Sequence, residues 1–194
     1  MTPLMAAVAS HARSVKVIQV ILDAGADVNA TTPDGYTALH FMVDVNGPTA
    51  FGRTPYDIAA LLVRHGAQTE IRSHWGWTPL MRAAIEGTED EFAAILKAGG
   101  STIVTYPENS LPSFTRGADI LEVTLAKPMK VRALLDIGFR VTEKHIAVAK
   151  RMIERAIADD NAGKCDREWL VGYILRIEES IRLLRESIDK GICE

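Results

Sequence analysis

Apolar residues along this chain gather into short helical stretches that come in pairs. One recurring phrase opens each pair and a glycine closes it. The phrase is Thr2-Pro3-Leu4-Met5, then Thr37-Ala38-Leu39-His40, then Thr78-Pro79-Leu80-Met81. The closings are ILDAGADVNA (21–30), LLVRHGAQTE (61–70) and ILKAGGSTIV (95–104). Thr before Pro suits a helix start, with the hydroxyl capping free N–H groups and the proline at the first helical position. Gly25, Gly66 and Gly99 stand where the second helix must end in a left-handed residue, which glycine adopts without a Cβ penalty. The stretches TTPDGYT and RSHWGWT between pairs read as turns, Asp34-Gly35 being the strongest signal.

Past Gly100 the repeat frays. TYPENSLPSFTRG (105–117) carries two prolines and reads as an enlarged loop, and 117–139 as a degenerate fourth pair divided near Lys127-Pro128 and stopped by Gly138. Two longer amphipathic helices follow. Thr142 is placed to cap the first and Asp166 the second, which Gly191 would stop. In the second, Leu170, Ile174, Ile177, Ile181, Leu184 and Ile188 form a heptad-like seam. The second repeat holds an insertion, VNGPTAFGRT (45–54), in which a functional loop and neutral drift are equally good readings.

ADVNATTPDGYTALH and GWTPLMRAAIEG resemble the ankyrin repeat, and Gly66 to Gly99 matches its repeat length of about 33 residues. The resemblance is good over 2–104 and weak over 117–140. It implies an all-α, ankyrin-type solenoid of antiparallel helix pairs with projecting hairpin fingers over 1–140, followed by capping helices over 141–194. In that architecture Leu4, Leu39 and Leu80 are expected as core residues of successive inner helices, and Ile21, Leu62 and Ile95 of the outer helices. Because the chain opens on the Thr-Pro of its first repeat, with no preceding finger, Met1 is read either as a true start or as a point inside a longer array.

The resemblance also implies where a partner would touch. Asp34 and Trp75 align at the hairpin tips, and Tyr36 and Trp77 align beside the finger glycines. Arg72 and His74 frame Trp75, and Ile85 and Glu86 end the third inner helix. These eight are the expected partner-binding residues, with Trp75 favoured for partner contact and Trp77 evenly balanced between contact and local packing. His40 is expected to hydrogen-bond between the backbones of adjacent repeats, a role in doubt at Met5 and Met81.

Composition narrows the function. With 47% hydrophobic and 24% charged residues the chain folds rather than staying disordered, and a net charge of −3 offers no footprint for nucleic acid. No apolar run is long enough to cross a membrane. Two cysteines without metal-type spacing and no secretory signal point to the cytoplasm. The histidines are scattered, and HExxH, GxSxG and phosphate-loop patterns are missing, so no enzyme, cofactor or metal is expected. The expected function is binding of a partner protein through the concave face of fingers and inner helices. The alternatives are an inhibitor or immunity-type protein that neutralises an enzyme or toxin, and a scaffold self-associating through 170–188.

Overall fold

The computed structural model describes residues 1–10, 13–43, 55–109, 115–162 and 166–190. The insertion at 45–54, the stop at Gly191 and both cysteines, Cys165 and Cys193, lie outside the described residues. Among the described residues the regular elements are helices, and the chain divides into two compact units, Met1–Ala118 and Asp119–Glu194.

The first unit holds three helix pairs: α1 (Pro3–Ala9) with α2 (Val15–Asp23), α3 (Ala38–Phe41) with α4 (Pro55–Arg64), and α5 (Pro79–Ile85) with α6 (Glu89–Lys97). Each opens as its sequence dictates. Thr2 and Thr78 accept the backbone N–H of the residue three further on, and Pro3 and Pro79 sit in the first turn. Gly25, Gly66 and Gly99 close the outer helices with φ of 85°, 88° and 100°, the left-handed region that glycine alone enters freely. Leu4, Leu39, Leu80, Leu62 and Ile95 are buried as predicted, whereas Ile21 is half-buried and Ile18 and Leu22 fill the core of α2. Ile21 corresponds to Leu62 and Ile95, but among the described outer helices α2 packs on α4, whereas α4 packs on both α2 and α6.

Side chains stitch neighbouring repeats where the chain leaves each outer helix. Asn29 does two jobs: its amide donates to the Gly66 carbonyl at 2.8 Å and its carbonyl accepts the Gln68 N–H at 2.8 Å. The equivalent residue one repeat on is Glu70, whose carboxylate can only accept. It takes the Ser101 N–H at 2.9 Å, and the neighbouring Thr69 hydroxyl donates to the Gly99 carbonyl at 3.3 Å. Two residues thus share what one asparagine does.

One contact skips a repeat. Arg13, between α1 and α2, donates to the Glu91 carboxylate at 2.9 Å, and both side chains are buried. Glu91 also closes a capping box with Thr88 at the start of α6. The first and third repeats are joined directly by this ion pair.

The second unit contains α7 (Ile120–Thr124), α8 (Pro128–Asp136), α9 (Glu143–Asn161) and α10 (Arg167–Asp189). The break at Lys127-Pro128 and the glycine stop at Gly138, with φ of 79°, fall where the sequence predicts. Thr142 opens α9 with His145 as its partner, and the Asp166 carboxylate accepts the Trp169 N–H at 2.9 Å to open α10. The His145 ring and Lys144 ammonium then reach the two carboxylates of the α7 capping box, Asp119 and Glu122, each at 2.9 Å. The seam of α10 faces α8 and α9: Leu170, Ile177 and Leu184 are buried, and Ile174, Ile181 and Ile188 half-buried.

Candidate functional site

Two fingers carry most of the predicted contact residues, and their backbones are alike. In the first, the Thr32 N–H donates to the Tyr36 carbonyl at 3.0 Å and the Gly35 N–H to the Thr32 carbonyl at 2.8 Å. In the second, the Ser73 N–H donates to the Trp77 carbonyl at 2.9 Å and the Gly76 N–H to the Ser73 carbonyl at 2.8 Å. Gly35 and Gly76 turn each tip with φ of 77° and 76°. Asp34 therefore corresponds to Trp75, and Tyr36 to Trp77.

Glycine at these tips also allows close nesting. A Cβ on Gly35 would sit 3.0 Å from the Ser73 Cα and 3.1 Å from the His74 nitrogen, so the second finger leans backbone-to-backbone on the first. The His74 N–H donates to the Asp34 carbonyl at 2.7 Å across that junction. At Gly76 a Cβ would meet the Pro107 ring at 2.7 Å, so the second tip leans in turn on the enlarged loop.

The rings beside the glycines turn inward. Trp77 is 6% exposed and meets Tyr106 edge-on, ring centroids 6.0 Å apart. Tyr106 is itself buried, and its hydroxyl donates to the Met81 carbonyl at 2.6 Å. Burial pushes that hydroxyl's pKa well above the usual tyrosine value, so it remains a donor. Tyr36 meets His40 and Phe41 edge-on and lies under the Arg82 guanidinium, 5.1 Å from the ring centroid. Arg82 also donates to the His40 carbonyl at 2.9 Å and to Glu86 at 2.8 Å. Tyr36, Arg82 and Glu86 form one connected group, with Ile85 half-buried beside Glu86 on α5.

His40 fulfils its predicted role. Its Nδ1 accepts the Thr37 N–H at 3.1 Å, so Nε2 carries the proton and donates to the Trp77 carbonyl at 2.9 Å. Burial, opposed by that carbonyl and assisted by the Arg82 charge, pushes its pKa down to about 4. At Met5 the thioether sulfur takes over part of the task, accepting the Thr2 N–H at 3.4 Å. At Met81 the link to the following segment is the Tyr106 hydroxyl on its carbonyl.

Trp75 differs from all these rings. It is 49% exposed, and the His74 ring stands edge-on to it at 6.2 Å. The finger beneath it is pinned by the Arg72 guanidinium, which donates to the Gly76 carbonyl at 2.7 Å, and by the His74–Asp34 bond. Arg72, His74 and Asp34 are exposed around it. The structure thus gathers Asp34, Arg72, His74 and Trp75 at the tips, sets Tyr36, Ile85 and Glu86 on the inner-helix side, and buries Trp77 between them.

Sequence reasoning passed over Arg82 and Tyr106. Arg82 had a legible signal, its four-residue spacing to Glu86 on one helix. Tyr106 had none. Among the described residues no group of three or more His, Cys, Asp or Glu side chains gathers as a metal ion requires. No described helix is long and apolar enough to cross a membrane.

Stacked helix pairs, glycine-tipped fingers and a histidine bridging repeats define an ankyrin array. The family model of ankyrin repeats in three copies matches residues 4–106, and the chain belongs to that family. Ankyrin repeats are generally modules of protein–protein interaction. An ankyrin repeat protein of Rickettsia felis is 36% identical over 62 residues, 32% of this chain and 26% of that protein. The human 2-5A-dependent ribonuclease is 37% identical over 75 residues, 38% of this chain and 9% of that protein. The chain therefore matches only a minor part of either relative. The crystal structure of the human ASB11 ankyrin repeat domain is also similar, with a TM-score of 0.48 and 18% identity over 71% of this chain and 52% of that one.

Proposed function

We propose that the array binds a partner protein through its fingers and inner helices, with Trp75 as the anchor and no catalysis of its own. The observation that supports this most is the contrast at the second finger. Trp77 is 6% exposed, while Trp75 on the same tip is 49% exposed above a backbone held by two short hydrogen bonds. A large ring on a pre-ordered loop loses little conformational freedom on binding, and tryptophan is among the residues that dominate interface energies. Asp34, Arg72 and His74 supply polar groups around the ring, and Tyr36, Ile85 and Glu86 continue the surface along the inner helices.

In this reading residues 1–140 form the array and 141–194 its capping helices, in the cytoplasm. The glycine-closed pair α7 and α8 supports counting 117–140 as a fourth, degenerate repeat.

The test is affinity capture from the source cells with the intact chain and with Trp75→Ala as paired baits. The expected result is a partner retained by the first and lost by the second, with melting temperatures nearly equal. Identical captures by both baits, or a large fall in melting temperature for the variant, would overturn the assignment.

A further inference from the structure

Within the second unit, α10 outruns the helix packed beside it. It has 23 residues, about 34 Å of helix at 1.5 Å per residue, whereas α8 has 9, about 14 Å. Burial along α10 is uneven to match: five of its six buried residues lie from Ile177 onward. Its first turns are more open, and there the Trp169 and Tyr173 rings stack, centroids 4.9 Å apart and planes 14° from parallel. Trp169 is 52% exposed. Because the rings cover each other, each has one face left for a further contact.

Two arginines stand beside this pair. Burial raises the pKa of the Tyr173 hydroxyl, and the charges of Arg176 and of Arg155 on α9 oppose the rise, so both guanidinium groups lie near that ring. Gly172 makes room for one of them: a Cβ there would stand 3.5 Å from the Arg176 Nη1, which lies back along the helix. Glycine inside a helix costs about 1 kcal/mol against alanine, and no positive φ at Gly172 requires it. Both arginines are exposed, and among the described residues neither guanidinium enters an ion pair or a hydrogen bond. Glu179, on the flank of the same face, is held by Arg182 instead. Two uncommitted guanidinium forks match carboxylates in shape and charge. Nucleic acid needs a continuous basic track, and Glu168 and Glu179 interrupt this face along α10.

We propose that Arg155, Trp169, Gly172, Tyr173 and Arg176 form a second binding surface, which takes an acidic segment of a partner protein. An aromatic side chain of that segment seats on the open ring face beside Gly172, and its carboxylates pair with the two arginines. The surface is complete within the second unit and does not depend on binding through Trp75.

Fluorescence anisotropy tests this, with the full chain titrated into a labelled random copolymer of glutamate and tyrosine. The expected result is saturable binding whose dissociation constant rises roughly tenfold or more in Trp169→Ala, and as much in Arg155→Glu combined with Arg176→Glu. These side chains are exposed, so the variants keep their fold and melt near the parent temperature. Gly172→Leu should melt slightly higher, as the better helix former, and yet bind less, a pairing that a purely structural role would not give. Trp75→Ala should bind the copolymer as the parent does, which separates this surface from the fingers. No binding, or binding unchanged in the double arginine variant, would overturn the proposal. So would loss of binding in Trp75→Ala, or tighter binding of polyuridylate or of phosphatidylserine vesicles than of the copolymer.

Discussion

Tyr36 and Trp77 stand at one point of successive fingers, and Asp34 and Trp75 at another. At the first point both fingers use the ring in the same way, as a lid over the start of the inner helix, but borrow different covers. Arg82 from the following repeat lies over Tyr36, and Tyr106 from the enlarged loop meets Trp77 edge-on. At the second point the fingers diverge: the first presents a small acid and the second a large ring. A position that packs tolerates a change of partner as long as the space is filled. A position that does not pack is free to take a residue that the fold does not need. The lesson is to separate the two tryptophans by the fate of their equivalents, not by their type.

That contrast can be broken or sharpened by four experiments. Trp77→Ala empties a buried site between the finger and Tyr106 and should cost about 3–5 kcal/mol, read as a lower urea midpoint. A change under about 1 kcal/mol would mean that the ring is not part of the packing.

Acid should act next most strongly, through His40. Its pKa is held near 4 in the fold against 6.5 when unfolded, so the unfolded chain binds more protons between those values. The stability from keeping it neutral is complete above pH 6.5 and is lost as pH falls towards 4, to a total of about 3 kcal/mol in order of magnitude. His40→Gln should flatten the pH dependence of the melting temperature across that window.

Gly35→Ala should cost about 2 kcal/mol, from the left-handed backbone and from a Cβ pressed on the Ser73 backbone. A neutral result would show that the two fingers separate easily. The smallest effect on stability belongs to Trp75→Ala, within about 0.5 kcal/mol by thermal unfolding, because its ring is half in water. Together with a loss of partner capture, this null result would complete the contrast with Trp77.

Much of the array is readable from local chemistry. Thr2, Thr37 and Thr78 cap helices, prolines start two of them, and glycines with positive φ end the outer ones, each effect acting within a few residues of its cause. The alignment of Trp75 with Asp34 was readable for the same reason. The burial of Trp77 was not, because its cover, Tyr106, comes from a loop without a repeat pattern. The half-burial of Ile21 was missed because a periodic sequence says which face of a helix is apolar, not how fully the packed elements cover each position of it. At α9 a signal was present and unused. Thr142 and His145 repeat the spacing of Thr37 and His40, and the His145 Nδ1 accepts the Thr142 N–H at 2.9 Å as His40 does that of Thr37. The ring's other nitrogen then meets the Asp119 carboxylate rather than a backbone carbonyl.

The ion pair between Arg13 and Glu91 changes how the array comes apart. In a chain of repeats that touch only their neighbours, an end repeat can peel away at the cost of one interface, and unfolding proceeds inward like a zipper. Here the first repeat is also tied to the third. Peeling it away also breaks this buried ion pair, a cost of about 3–5 kcal/mol in order of magnitude added to that of the interface. The three repeats are thereby made to rise and fall together, closer to a single globule than to a stack.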